Sequence, residues 1–300
     1  NSIAGLVMAT VESATRFQRA RRPGADAWEI YRQSPTAMLG LVLVLLISVL
    51  AIIGPLVYPV DPFEIIWAPM SAPGTTERAL LGTDYLGRDI LAGLLVGAKA
   101  TLIVGLTAAA LTVIIGLVIG ALAGFYLGMV DEILMRVTEF FQVLPPLLFA
   151  MVLVTMLSPS LWVVAVSIGV VSWPPTARLA RAEFLRIRNL EYVTASRASG
   201  VRQGYIIWRV ILPNALPPLI VSATLTVGTA ILFEAGLSFL GLSDPNVMSW
   251  GLMIGSGREY MLDAWWIVTL PGVMIFLAVL GVSLVGDGLN DAFNPKLRRR

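Results

Sequence analysis

The chain has 300 residues, 57% hydrophobic and 13% charged, with mean hydropathy +0.83 and a formal net charge of +2. Soluble domains carry about one quarter charged residues, so most of this chain is suited to lipid, and its small net charge gives no argument for nucleic acid. Cysteine and histidine are both absent, which excludes disulfides, thiolate nucleophiles, Ser-His triads and histidine-based zinc sites.

Residues 1–36 read as a cytoplasmic N-terminal tail. Ile3, Leu6, Val7, Val11, Ala14 and Phe17 fall near helical spacing, and Arg16, Arg19, Arg21 and Arg22 follow. The pattern fits an amphipathic helix on an anionic leaflet or a solvated tail. Trp28 and Tyr31 stand where an interfacial aromatic belt is expected, with Trp250, Tyr260, Trp265 and Trp266 as the opposite belt.

A spanning helix needs about 20 apolar residues. Six stretches qualify: 37–58, 100–126, 133–157, 161–177, 216–240 and 265–286. They predict an all-α polytopic membrane protein with six transmembrane helices. The first stretch is too long and too far from the N-terminus for a signal-peptide core, so it reads as an uncleaved span. Gly116, Gly120, Gly124 and Gly128 recur every four residues and predict a close helix interface. Gly93 and Gly97 before Lys99 miss the spacing of a phosphate loop. Pro145-Pro146 predicts a kink in the third span, static or acting as a gate, with its freed carbonyls shielded inside a bundle.

Lys and Arg set the expected orientation. The loop 178–214 carries Arg178, Arg181, Arg186, Arg188, Arg197, Arg202 and Arg209 against Glu183 and Glu191, and the tail 287–300 carries Lys296, Arg298, Arg299 and Arg300. The loop 59–97 has Arg78 and Arg88 beside five acids, and 241–264 has Arg258 alone. Six spans then leave both termini and the 178–214 loop in the cytoplasm. Glu234 follows 18 residues of the fifth span, or about 27 Å of helix. It is expected at the outer mouth, within reach of water, as a structural carboxylate rather than a substrate ligand. Asp84, Arg88 and Asp89 are further outer-mouth candidates, or caps of a re-entrant helix.

Within 178–214, Asn189 is a candidate N-cap and Glu191 suits the first turn of a helix. Ala195 and Ala198 are small enough for a partner to approach, and Gly200 is a natural helix stop. A second helical stretch, with Ile206, Ile207, Val210 and Ile211, is expected to end at Pro213. The segment reads as a short helix able to receive a push from a soluble partner, or as a basic loop that fixes topology.

These residues meet a known family. Glu191, Ala195, Gly200 and Leu212-Pro213 resemble the coupling loop, with its Glu-Ala-Ala pattern, of ABC-importer permeases. LGTDYLGRD (81–89), EAGLSFLGL (234–242) and GDGLNDAFNPKLR (286–298) resemble the second, C-type permease of peptide and nickel importers. The resemblance covers residues 37–298 and departs at Val210, where the family often has histidine. It implies a type I importer permease fold with six transmembrane helices and a cytoplasmic coupling-helix loop. It further implies a heterodimer with a second permease, two ABC ATPases or one fused ATPase, and an extracytoplasmic solute-binding protein. Coupling residues would be Glu191, Tyr192, Ala195, Arg197, Ala198, Gly200 and Pro213. ATP and magnesium would be held by the ATPases, with no catalytic residue, metal or cofactor on this chain. The location would be a bacterial or archaeal plasma membrane, and the cargo di- or oligopeptides. A stand-alone secondary transporter or channel is the alternative, but mid-membrane charge and a clear internal repeat are both missing. An intramembrane enzyme would need an Asp pair or a Ser-Lys pair, and nothing brings Lys99 and Ser167 together.

Overall fold

A computed structural model describes residues 23–293, so the 3–17 pattern and the basic residues after 293 lie outside the described residues. The helices in chain order are α1 (Pro23–Gln33), α2 (Pro35–Val57), α3 (Ile90–Tyr126), α4 (Gly128–Val143), α5 (Pro146–Leu157), α6 (Leu161–Ser172), α7 (Pro174–Arg188) and α8 (Glu191–Ala198). They are followed by α9 (Gln203–Phe239), α10 (Trp250–Gly257) and α11 (Trp266–Phe293). Four of them, α2, α3, α9 and α11, are long and apolar enough to cross a membrane, and the bent pairs α4–α5 and α6–α7 bring the number to six.

Proline chemistry makes both bends. Leu144 and Pro145 adopt extended conformations, and Pro146 occupies the first turn of α5, where its missing N–H costs nothing. The axes on either side differ by 87°. Pro174 likewise takes the first turn of α7, at 46° to α6, although Trp173 before it keeps a helical conformation. The predicted kink is therefore close to a right angle, and the fourth span runs on into a basic helix.

The third helix organises the bundle. It begins ten residues before the predicted span because Asp89 caps it, its Oδ1 accepting from the Leu91 amide at 2.9 Å. Gly116, Gly120 and Gly124 face α7: a Cβ on Gly116 would lie 2.7 Å from Thr176 Cβ, and one on Gly124 2.7 Å from the Arg181 carbonyl oxygen. Gly128 does not belong to this interface. α3 stops at Tyr126, Leu127 turns the chain at φ 58°, and Gly128 is exposed with no neighbour near a built Cβ. Gly93, Gly97 and Gly105 extend the stripe, accommodating Met253, Trp250 and Ile231. The small residues before Lys99 are thus packing sites.

Several belt expectations fail for one reason: the rings are core. Tyr31 is 4% exposed, donates to the Ala37 carbonyl at 3.0 Å and packs under α11, where Gly288 makes room. Trp250 is fully buried, and its indole N–H donates to the Leu94 carbonyl at 2.9 Å. Trp266 is buried and donates to the Thr83 carbonyl. Trp28 and Trp265 are exposed, as a belt requires.

The fifth span also differs from expectation. The helix does not end at Pro213. It continues from Gln203 to Phe239 through a π-helical segment, Ile206–Ile211, closed by a bond from the Leu212 amide to the Ile207 carbonyl. The wider turn gives room for the Pro213 ring, which would clash with the preceding carbonyl in a regular helix. The Asn214 side-chain amide donates to the Val210 carbonyl at 2.7 Å. Position 210, where the resembled family often has histidine, thus has a polar contact through its backbone.

Candidate functional site: the exposed face of α8

α7, α8 and the start of α9 gather at one end of the bundle, the basic end. α7 finishes on Arg186 and Arg188, which suits the negative end of its dipole. Asn189 closes this helix as its C-cap; it does not open α8, whose N-cap is Leu190 without a side-chain cap. Arg181 holds α7 to α4 through a two-pronged pair with Asp131, at 2.5 and 2.6 Å.

α8 has eight residues, too short to be stable alone. Val193 anchors it, fully buried among Phe125, Phe184, Ile187, Ile206 and Ile211; burial of such a side chain contributes about 2 kcal/mol. The C-terminus is a Schellman turn: the Gly200 amide bonds the Arg197 carbonyl at 3.0 Å, the Val201 amide bonds the Ser196 carbonyl at 3.2 Å, and Gly200 sits at φ 76°. Glu191, Tyr192, Thr194, Ala195, Ala198 and Gly200 are exposed. The hydroxyls of Thr194, Ser196 and Ser199 donate back to carbonyls four residues earlier. The face is therefore rigid, mostly small, and flanked by one acid and one aromatic ring.

Two expected coupling residues sit elsewhere. Arg197 turns inward, its guanidinium 5.0 Å above the Phe125 ring. Pro213 lies inside α9, beyond the π segment.

At the opposite end, the outer-mouth candidates divide. Glu234 is 3% exposed, so water does not reach it as expected; Oε1 accepts from Ser238 and Ser249 hydroxyls, each at 2.8 Å. Ser249 also caps α10, accepting from the Leu252 amide. Glu234 thus joins α9 to α10. Asp89 is buried as the cap of α3, a spanning helix rather than a re-entrant one. Tyr58 donates to Asp89 Oδ2 at 2.6 Å, and burial together with this carboxylate pushes its phenol up to about 12. Asp84 organises the turn before it, accepting from the Leu86 and Arg88 amides at 2.8 Å. Burial raises the Asp84 carboxyl above its ordinary value, outweighing the amides and the Arg88 charge that lower it. Arg88 lies over Phe63, 5.2 Å from its ring centre. These three line a cavity of about 260 Å³ with Tyr85, Met248 and Ser256; Glu234 does not.

A larger cavity of about 590 Å³ lies between the two bends and α9. Gln142, Thr176 and Arg178 line it, with Ser222, Thr226 and Thr229 from α9. The sequence signal for it was the helical spacing of the hydroxyls at 222, 226 and 229 within a mostly apolar span.

A bundle of bent and straight spans, with a rigid exposed helix at its basic end, is the architecture of an ABC-importer permease. The chain belongs to the family of binding-protein-dependent transport system inner membrane components, whose model matches residues 116–299, and the model of the N-terminal transmembrane domain of oligopeptide transport permease C matches 22–75. It is 41% identical to the di/tripeptide transport system permease protein DppC of Pseudomonas aeruginosa, over 92% of this chain and 93% of the relative. It is 40% identical to the dipeptide transport system permease protein DppC of Escherichia coli K12, over 92% and 94%. The oligopeptide transport system permease protein OppC of Bacillus subtilis is 36% identical, over 91% and 90%. Among solved structures, an inward-facing MetNI methionine ABC transporter matches with TM-score 0.56 at 22% identity, covering 65% of this chain and 93% of that one. The protein is a multi-pass permease subunit of an ABC importer, and the stand-alone transporter reading falls with that membership.

Proposed function

We propose that this permease carries di- or oligopeptides and forms half of a path completed by a second, homologous permease. Two cytoplasmic ABC ATPases, or one fused ATPase, bind and hydrolyse ATP with magnesium; this chain catalyses no reaction and holds no cofactor. The segments 81–89 and 241–264 face an extracytoplasmic solute-binding protein or the outer mouth of the path, and both termini are cytoplasmic in a bacterial or archaeal plasma membrane. The domain limits are those of the sequence: a tail over 1–36, the permease over 37–298, the coupling loop over 178–214 and the tail over 287–300.

The observation that carries this reading is the exposed face of α8. Glu191, Tyr192, Ala195 and Ala198 form a surface that an ATPase groove accepts, and Val193 and Gly200 hold it fixed. Arg197 and Pro213 act behind that surface, as supports of α8 and α9. The stripe Gly116, Gly120 and Gly124 keeps α3 on α7, so that α8 moves with the spans. The 590 Å³ cavity is this chain's share of the path; its hydroxyls and Gln142 suit peptide bonds, and Arg178 suits a peptide carboxylate. The peptide assignment draws its support from the names of the relatives.

The test is purification of the complex from the native membrane. The expected result is recovery of a second permease, an ATPase and a binding protein loaded with short peptides, with Glu191→Lys weakening ATPase recovery. Unchanged ATPase recovery in that variant would mean that the loop only sets topology.

A further inference from the structure

Two arginines at the basic end line one pocket, and among the described residues neither has an ion-pair partner. Arg188 closes α7 and Arg197 lies in the last turn of α8. With Phe125, Tyr126, Val201 and Gln203 they line a pocket of about 290 Å³ beneath α8. Nη1 of Arg188 and Nη2 of Arg197 are shut off from solvent and have no hydrogen-bond partner among the described residues. Burial first, and the Arg188 charge second, lower the proton affinity of Arg197. Arg136, Arg181 and Arg186 each have a carboxylate partner. The lining of this pocket, among the described residues, contains none.

Both side chains are partly exposed, with one guanidinium nitrogen of each shielded, and two like charges lining one pocket favour an anion between them. The donors suit one anion class in particular. Two guanidinium forks, the Gln203 amide and the Tyr126 hydroxyl offer more N–H and O–H groups than one carboxylate accepts, and match the oxygens of a phosphate. Depth agrees. Tyr126 is the last residue of the spanning helix α3, and Tyr205 and Trp208 stand exposed at the start of α9. Such aromatic rings mark headgroup level.

We propose that Arg188 and Arg197 form a binding site for a phosphate group beneath α8, supplied by a phospholipid headgroup or by a soluble phosphate. Occupancy ties α8 to α7 and α3 through one shared anion.

The test uses native mass spectrometry of the full complex with three probes: phosphatidylglycerol, inorganic phosphate, and diacylglycerol as the phosphate-free control. The expected result is at least tenfold weaker binding of a phosphate-bearing probe to the R188Q/R197Q variant, with diacylglycerol unaffected. Arg-dependent binding of phosphatidylglycerol alone identifies the headgroup as the source, and of inorganic phosphate the soluble anion. Gln203→Glu guards against simple misfolding, because it supplies a carboxylate from within. It should raise thermal stability while displacing the phosphate probe. Binding that changes less than twofold in R188Q/R197Q, or phosphate retained undiminished by Gln203→Glu, would overturn the site. Loss of the ATPases from R188Q/R197Q with phosphate binding intact would also overturn it, marking the pair as a seat for a partner carboxylate.

Discussion

Replacement of Gly200 isolates the rigidity of α8 from its chemistry. A Cβ built on Gly200 meets nothing within 4 Å, so a substitution there causes no collision. The cost is conformational: at φ 76° an L-residue in the left-handed region loses roughly 1–2 kcal/mol. Asparagine loses less, and a β-branched side chain falls at or above the upper end. A loss of 1–2 kcal/mol lowers the capped population by a factor of about 5 to 30. The bonds at stake are those from the Gly200 and Val201 amides, since Val193 and the bundle below remain anchored. Stability should therefore fall in the order Gly, Asn, Ala, Val, with membrane insertion unchanged. Hydrogen exchange at the Gly200 and Val201 amides should follow that order, and so should transport per ATP hydrolysed in proteoliposomes. Wild-type protection and wild-type coupling in Gly200→Val would refute the claim that this turn holds the docking face.

Three further perturbations report on other parts of the fold. Gly120→Ala places a Cβ 2.6 Å from that of Ala180 and should cost roughly 1–3 kcal/mol. Gly128→Asn, at an exposed left-handed position with no collision, should cost less than about 1 kcal/mol; thermal unfolding in detergent separates them. Glu234→Ala leaves the buried Ser238 and Ser249 hydroxyls without their acceptor, at a cost of roughly 1–3 kcal/mol for each group. Glu234→Gln keeps the accepting oxygen and should be milder; proteolysis near Trp250–Gly257 reports the difference. Asp84 binds its proton more tightly in the folded turn than at its ordinary value of 3.8. That contribution to stability is fully present below 3.8 and is lost as pH rises through the folded value. Asp84→Asn keeps the acceptor for Leu86 and Arg88 and should flatten the pH dependence of protection at those amides. A slope equal to wild type would assign it to another group.

Long-range packing explains what the sequence did and did not reveal. Spans were legible because apolar length suffices to mark them, and Gly200 because a helix stop is a local event. Asn189 misled because a polar residue between two helices can close one as readily as it opens the next. Pro213 misled because a π turn accommodates its ring, a solution invisible in residue order. Trp250 and Tyr31 looked interfacial by type, yet each is buried by a distant helix, α3 for one and α11 for the other. Gly128 kept the four-residue spacing after the helix carrying that spacing had ended. Arg197 was placed on the docking face by its position in the coupling loop, whereas its long side chain reaches Phe125 on a different helix.

The unbroken run of α9 sets a scale for any movement that reaches it. Its 37 residues amount to a rod of about 55 Å. Tilting such a rod by about 10° around one end carries the other end through roughly 10 Å, more than the width of a peptide backbone. The basic end of α9 contacts α8 through Ile206 and Val193, and Glu234, near the other end, holds α10 through Ser249. If α8 docks an ATPase as proposed, α9 is a lever with its handle among the arginines and its load at the opposite mouth. The π turn and the three prolines near the handle are where the rod yields, so their stiffness fixes how much of a stroke arrives.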